Sequence, residues 1–299
     1  MITLSIIGSG RIVEEHIKAA KLNNIKVKYI FSSRLRSKNC ARLANKYKIE
    51  NIDTFDKFMF LSIKSKSYYL IAGRISKNSY YLKKCIATKK KILIEKPIFL
   101  KSENFKNFLF ANDQIFVGYN RIFYKNIRYI KESISKLKNL TVNCYLPELN
   151  KTRILSNSSH VISILLYLFK NIRLIYKDTK SKSIFLRYNL PNKNVANLFI
   201  NFKAILNFKI EIISEDFLIS LQSIEELKVY NKLKKKSYKN NNIYKLQSSH
   251  SINEYDLNNI KPGIFYQMQE FKKFCQGKKI INNLKFAEQI INICEKIIK

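Results

Sequence analysis

Residues 2–20 read ITLSIIGSGRIVEEHIKAA. Ile2–Ile7 is a compact apolar run, as expected of a strand buried on both faces. Gly8-Ser9-Gly10 interrupts it, and an amphipathic stretch then continues through Ala20. A strand, a glycine turn and a helix in that order form the first βα unit of a doubly wound sheet. There the missing side chains let a pyrophosphate reach the helix N-terminus, whose N–H groups and dipole favour an anion. Val13 takes the place of the third glycine of GxGxxG. Alone, such a turn reads equally well as a tight connection with no ligand.

Outward from this unit the alternation persists. Ile25–Phe31 reads as a strand and Lys38–Tyr47 as a helix, with Ala41, Leu43, Ala44 and Tyr47 apolar. Tyr68–Ala72 (strand), Ser76–Thr88 (helix), Ile92–Ile94 (strand) and Ile115–Gly118 come next. This pattern predicts a parallel sheet with helices on both faces. After about residue 123 the texture changes. A helix over Lys125–Lys138, a strand over Leu140–Tyr145 and a helix over His160–Phe169 precede strands at Ser183–Tyr188, Val195–Phe202, Leu206–Ser214, Phe217–Gln222 and Leu227–Tyr230. Short turns between these strands predict an antiparallel meander. Helical patterns at Ile264–Cys275 and Phe286–Ile298 come last. The expectation is an α/β Rossmann domain over residues 1–122 and an α+β domain over 123–299 with an open, mostly antiparallel sheet.

Composition narrows the function classes. The chain has 299 residues, 46% of them hydrophobic, which suits a globular protein and not a disordered one. No stretch nears the roughly 18–20 apolar residues of a membrane span. The start shows neither a basic leader nor a small-residue cleavage site, so a cytoplasmic location with no membrane partner is expected. Cys40, Cys85, Cys144, Cys275 and Cys294 are odd in number and lie far apart without a CxxC pair. Neither a disulfide framework nor a metal site is expected. The formal charge of +35 permits nucleic acid as a partner. The lysines, however, are spread along a chain rich in Lys, Asn, Ile and Tyr and poor in Gly, Pro and Trp, as A/T-rich codons produce. Only KLKKKSYKNNN, residues 232–242, is dense, and it reads as a solvated hairpin or loop. Nucleic acid is not the expected partner.

Two segments carry chemistry. The second strand ends in Phe31-Ser32-Ser33-Arg34, and no carboxylate occurs between Phe31 and Ala44. An NAD site places Asp or Glu here for the ribose hydroxyl, whereas a short polar residue followed by Arg suits a 2′-phosphate. With Arg34, Arg36 and Lys38 in reach, NADP is expected ahead of NAD, the plain alternative being a basic loop in a basic protein. The other segment is ILIEKP, residues 92–97. It sets Glu95 and Lys96 directly after a buried strand, at the sheet edge where ligands bind. A partly buried lysine there suits proton transfer, though the pattern also fits a surface loop.

GSGRIVEEH (8–16), IEKP (94–97), GYNRIF (118–123) and SSHVISILLYLF (158–169) occur in the order seen in the Gfo/Idh/MocA oxidoreductases, and the chain resembles that family along most of its length. GIFYQMQEFKKFCQGK near the end is similar to the family's closing helix. The resemblance implies that Gly8, Ser9, Gly10, Arg11 and Ile12 form the pyrophosphate turn. It implies that Ser33 and Arg34 form an NADP-type ribose loop, and that Ala72 and Asn78 border the nicotinamide. Asn78 stands where the family's loop histidine would be. Glu95 and Lys96 would lie beside the nicotinamide ribose, with Lys96 touching the reacting hydroxyl and His160 acting as acid/base. Asn120, Arg121, Tyr124 and Asn157 would line the substrate pocket.

The activity this resemblance implies is that of an NAD(P)-dependent dehydrogenase of a sugar, nucleotide-sugar or cyclitol, in a homo-oligomer. Ser156 and Ser163 stand where many relatives carry Asp. Asn157-Ser158-Ser159-His160 is similar to the Asn-Ser-x-His pattern of relatives from surface-polysaccharide gene clusters. Loss of the aspartates keeps a second class open, a catalytically silent dinucleotide- or sugar-binding regulator. His16 is expected to be structural, and His250 has no assigned role.

Overall fold

The computed structural model describes residues 2–34, 36–135, 137–238, 241–254 and 259–299. In chain order the elements are β1 (Ile2–Ile7), α1 (Arg11–Leu22), β2 (Ile25–Phe31), α2 (Lys38–Tyr47), β3 (Glu50–Ile52), α3 (Phe55–Lys64), β4 (Tyr68–Ile71), α4 (Asn78–Ile86), β5 (Ile92–Ile94) and β6 (Ile115–Val117). They continue with α5 (Lys125–Ile134), β7 (Thr141–Glu148), α6 (Ser159–Phe169), β8 (Arg173–Thr179), β9 (Ser183–Asn189), β10 (Val195–Phe202), β11 (Lys209–Ile213), β12 (Leu218–Gln222), β13 (Glu226–Tyr238), β14 (Asn241–Asn253), α7 (Ile264–Cys275) and α8 (Leu284–Ile298). None of these helices is long and apolar enough to cross a membrane.

The chain divides into two compact units, Met1–Asn120 with Leu257–Lys296, and Arg121–Asp256 with Ile297–Lys299. The first holds a six-stranded sheet in the order β3-β2-β1-β4-β5-β6, every pair parallel. This is the doubly wound order, and its switch point falls between β1 and β4, where the first glycine turn emerges. Ile92, Leu93 and Ile94, like Ile115, Phe116 and Val117, are fully buried, the signature of strands covered on both faces.

A single cut after residue 122 would leave α7 and α8 in the second domain. Contacts instead join α7 and the residue run just before α8 to the first unit. Asn23 Nδ2 donates to the Phe265 carbonyl at 3.2 Å. Val117 N–H donates to the Asn282 carbonyl at 2.7 Å, and Asn282 Nδ2 returns a 2.7 Å bond to the Val117 carbonyl. Phe116 meets Phe271 edge-on at 5.8 Å.

The second unit holds an eight-stranded sheet, β14-β13-β12-β11-β7-β10-β9-β8. Among the described residues, only β7 and β10 pair in parallel there. The predicted meander is therefore divided: β8–β10 and β11–β14 flank β7. A parallel pair needs a long crossover, and the chain from α6 to β9 supplies it. In β7, Val142, Cys144, Leu146 and Glu148 are buried in alternation, with Thr141, Asn143, Tyr145 and Pro147 on the opposite, half-exposed face. The dense lysine run lies in the β13–β14 hairpin; its Lys239 and Asn240 fall outside the described residues.

Candidate active site

The glycine turn after β1 is built by two different demands. Gly8 has φ 129°, and a Cβ there would stand 2.3 Å from the Ala72 carbonyl oxygen. The crowding comes from the sheet: Gly8 N–H donates to Phe31 O and Ala72 N–H to Ile7 O, both at 2.8 Å. Gly10 differs. Its φ of −69° and ψ of 173° suit any residue, and a Cβ would meet nothing within 4 Å. Neither backbone strain nor crowding among the described residues demands glycine at that position. The bare backbone opens instead onto the N-terminus of α1, whose first turn has no side-chain cap. Open space and uncapped N–H groups at Arg11 and Ile12 fit the pyrophosphate of a dinucleotide. Val13 is fully buried, so the third glycine position is filled by a packing residue.

Beside this turn, Ser9 Oγ donates to Ser32 Oγ at 3.2 Å and lies 3.1 Å from Ser37 Oγ. Ser37 caps α2 by accepting the Cys40 N–H at 3.3 Å, and the Asn39 amide donates to the Ser9 carbonyl. A cleft of about 470 Å³ opens here, lined by Ser32, Arg34, Arg36, Ser37, Lys38 and Asp53 among others. Among the described residues, Arg34, Arg36 and Lys38 form no ion pair. The structure thus brings the serines and Arg34 together at the end of β2, with Ser33 exposed beside them. Cations, hydroxyls and the N-terminus of α2 can hold an anion there.

Glu95 leaves β5 with its N–H donated to Ile71 O at 2.8 Å. Its Oε1 lies 2.6 Å from Nε2 of His16, a side chain on α1 with no exposed surface. Gly118 makes room: a Cβ there would approach Glu95 Oε1 to 2.9 Å and Ile94 O to 3.3 Å. Lys96 comes next, half-buried, joined to Pro97 by a cis peptide. Asn78, buried at the start of α4, donates its amide to the Ile98 carbonyl at 2.9 Å, tying down the loop that carries Glu95 and Lys96. Asn120 gives its amide to the Pro262 carbonyl at 2.9 Å, a bond within the same unit.

In the second unit, His160 begins the first turn of α6, half-buried, its N–H donated to Asn157 O at 2.9 Å. The segment before it is gripped by a carboxylate that no motif marks. Glu148 accepts the Ser158 N–H at 2.8 Å, the Ser158 hydroxyl and the Asn157 amide at 3.3 Å. Burial pushes its carboxyl up from the ordinary range, and the Ser158 and Asn157 hydrogen bonds oppose that rise. A signal for it exists in the sequence: Glu148 continues the buried phase of β7, where a charge needs partners. Of the two serines in the aspartate positions, Ser163 donates to the His160 carbonyl at 2.7 Å and Ser156 to Arg153 O at 3.1 Å.

Arg121 and Tyr124 converge on Glu225. Tyr124 Oη donates to Glu225 Oε1 at 3.1 Å, and Arg121 Nη2 lies 3.8 Å from the same oxygen. Burial raises the Tyr124 phenol well above its ordinary value, so it stays protonated. A cavity of about 630 Å³ in this unit, lined by Tyr145, Phe208, Lys209, Gln222 and Glu226 among others, contains none of the residues singled out from the sequence.

Residues 2–115 match the model of an oxidoreductase family with an NAD-binding Rossmann fold, Gfo/Idh/MocA. No curated protein sequence matches the chain. Solved structures share the fold. A UDP-N-acetylglucosamine 3-dehydrogenase from Acidithiobacillus ferrooxidans superposes with a TM-score of 0.72 at 13% identity, over 99% of this chain and 96% of its own. A levoglucosan dehydrogenase in complex with NADH and levoglucosan gives 0.75 at 14% identity, over 99% and 95%. An oxidoreductase from Agrobacterium radiobacter in complex with NAD+, L-tartaric acid and magnesium gives 0.76 at 12% identity, over 98% and 94%.

Proposed function

We propose that the protein is an NAD(P)-dependent dehydrogenase of the Gfo/Idh/MocA kind, acting on a secondary alcohol or ketone of a sugar, nucleotide-sugar or cyclitol; its residues 2–115 match that family's NAD-binding Rossmann fold. The observation that carries this reading is Gly10, where neither backbone strain nor crowding calls for a glycine and where a ligand pressed against the turn would. Backbone N–H groups from Gly8 to Ile12 hold the pyrophosphate. Ser33 and Arg34 form an NADP-type ribose loop in which the Arg34 guanidinium meets the 2′-phosphate, and the cations around them favour NADP over NAD. Ala72 and Asn78 border the nicotinamide, with Glu95 and Lys96 beside its ribose. The bound nicotinamide supplies hydride chemistry, and the protein contributes binding, orientation and proton handling. Lys96 binds the reacting hydroxyl and His160 exchanges its proton with solvent, both as the family resemblance implies. Asn120, Arg121, Tyr124 and Asn157 belong to the substrate side.

Sugar and nucleotide-sugar as substrate classes rest on the names of the structural relatives and on the Asn157-Ser158-Ser159-His160 pattern. On the half-exposed face of the second sheet Tyr145 stacks on Phe199 at 5.2 Å and Phe185 packs tilted against Phe199 at 5.1 Å, an aromatic strip suited to a second copy of the chain. A cytoplasmic location is part of the proposal and rests on the odd number and wide spacing of the five cysteines in the sequence. A silent regulator remains the second reading, because Ser163 turns its hydroxyl onto the His160 carbonyl and supplies no carboxylate.

Calorimetric titration with NADPH and NADH tests the reading. Micromolar binding of either, tighter for NADPH, supports it. A folded protein that binds neither overturns it. Turnover with a sugar or nucleotide-sugar, lost in Lys96→Ala and His160→Ala, separates the dehydrogenase from the regulator.

A further inference from the structure

We infer that His16 is a positioning residue of the dinucleotide site: its Nε2–H fixes the Glu95 carboxylate by one oxygen, so that the other is presented as a pre-set acceptor for ribose hydroxyls. The inference rests on the dinucleotide reading above and deepens it.

Four observations carry it. The imidazole is sealed beneath α1 and meets Glu95 Oε1 at 2.6 Å. Its Nδ1 is buried without a hydrogen-bond partner among the described residues. A proton on Nδ1 would be an unsatisfied buried donor, so the hydrogen-bond pattern assigns the proton to Nε2, directed at Glu95. The carboxylate is also confined by Gly118. Gly118 leaves only enough room for Oε1, and the Glu95 N–H is bonded to Ile71 in the adjacent strand. Yet the Glu95 side chain keeps 18% of its surface exposed. Oε2 makes no hydrogen bond to the described residues. One oxygen is fixed, and the other stands at the carboxyl edge of the sheet, free to accept.

A carboxylate offering one free acceptor at this edge suits a vicinal diol, whose hydroxyls need an acceptor already in place. His16 touches neither ligand nor reacting atoms. It acts through Glu95 alone.

A purely structural histidine would affect stability but not the affinity of the protein that remains folded. The test is therefore a double-mutant cycle read by calorimetric NADPH and NADH binding, with thermal melting alongside. His16→Leu keeps the volume and removes the donor; about tenfold weaker binding is expected, the size of one lost hydrogen bond to a charged group. Glu95→Gln is expected to weaken binding to a similar degree, and the double variant no further than the weaker single. His16→Gln, which can place an N–H near the former Nε2, is expected to stay within about threefold of the parent. His16→Asn, too short to reach, is expected to lose the full effect and stands in for His16→Leu if that variant does not fold. If the parent binds and His16→Leu or His16→Asn binds equally well, the inference falls and the dinucleotide reading survives. If the two losses add in the double variant, His16 does not act through Glu95. If the folded parent binds neither dinucleotide, both fall.

Discussion

The carbonyl oxygen of Ala72, at the end of β4, lies 2.3 Å from where a Cβ on Gly8 would stand, while a Cβ on Gly10 would touch nothing. The sheet thus accounts for the first glycine of this turn, and the proposed dinucleotide would account for the second. Gly8→Ala must push β4 aside or flatten a φ of 129°. It is expected to cost about 3 kcal/mol and to abolish dinucleotide binding. Gly10→Ala is expected to leave the denaturation midpoint unchanged and to weaken binding at least tenfold. Urea unfolding and NADPH titration of the pair read both effects; a destabilised Gly10→Ala would mean that the turn needs this glycine for itself.

Arg34, Arg36 and Lys38 stand around the cleft beside the glycine turn without carboxylate partners among the described residues. Arg34→Ala is expected to raise the Kd for NADPH about tenfold and to leave that for NADH unchanged, because only the former carries a phosphate for the guanidinium. Equal losses for both would place Arg34 on the shared part of the cofactor.

Glu14 on α1 is held by Arg42 at 2.7 Å and Lys46 at 2.8 Å, both on α2. The Arg42 and Lys46 hydrogen bonds lower its carboxyl from 4.5 to about 2. A depressed carboxyl contributes stability above its unfolded value, and that contribution is lost as pH falls through the folded one. Glu14→Gln is expected to unfold earlier than the parent near neutral pH, with the gap closing as pH falls from 4.5 towards 2. Both cations are about half exposed, so added salt should shrink the gap.

Glu148 has the opposite sign. Burial raises its carboxyl, so its contribution is fully present below the unfolded value and declines as pH rises through the folded one. Glu148→Ala removes three acceptor contacts beneath the segment that leads into His160 and is expected to cost about 3 kcal/mol. Glu148→Gln, without the buried charge, is expected to gain on the parent as pH rises above the ordinary carboxylate range. Denaturation midpoints across mildly acidic pH check this, and a parent that gains on Glu148→Gln with rising pH would contradict the assigned direction.

The elements with one clear period are legible from the chain alone. β2, α2, β5, β10 and α7 begin and end where the apolar pattern does. Those that escape have mixed faces. α3 exposes Phe60 and Ile63, so no apolar stripe stands out. β3 is three residues long with two of them exposed, and β8 is an edge strand with most of its side chains in water. β14 is largely polar and depends on β13 for its pairing. Motifs mark the glycine turn, Glu95 and Lys96 in the first unit and His160 in the second as candidate site residues. The residues that hold them, His16 and Glu148, are single ionisable groups distant in sequence from their partners, and no local pattern joins position 16 to 95.

The pairing of Val117 with Asn282 bears on how this protein is made. A ribosome releases the glycine turn within the first few seconds of translation, at about 5–20 residues per second. The strand that completes that sheet meets its covering segment only after the whole antiparallel unit has emerged. Until then the Val117 N–H and carbonyl lack the partners that Asn282 supplies, so the last strand of the parallel sheet is completed only once residue 282 has been made.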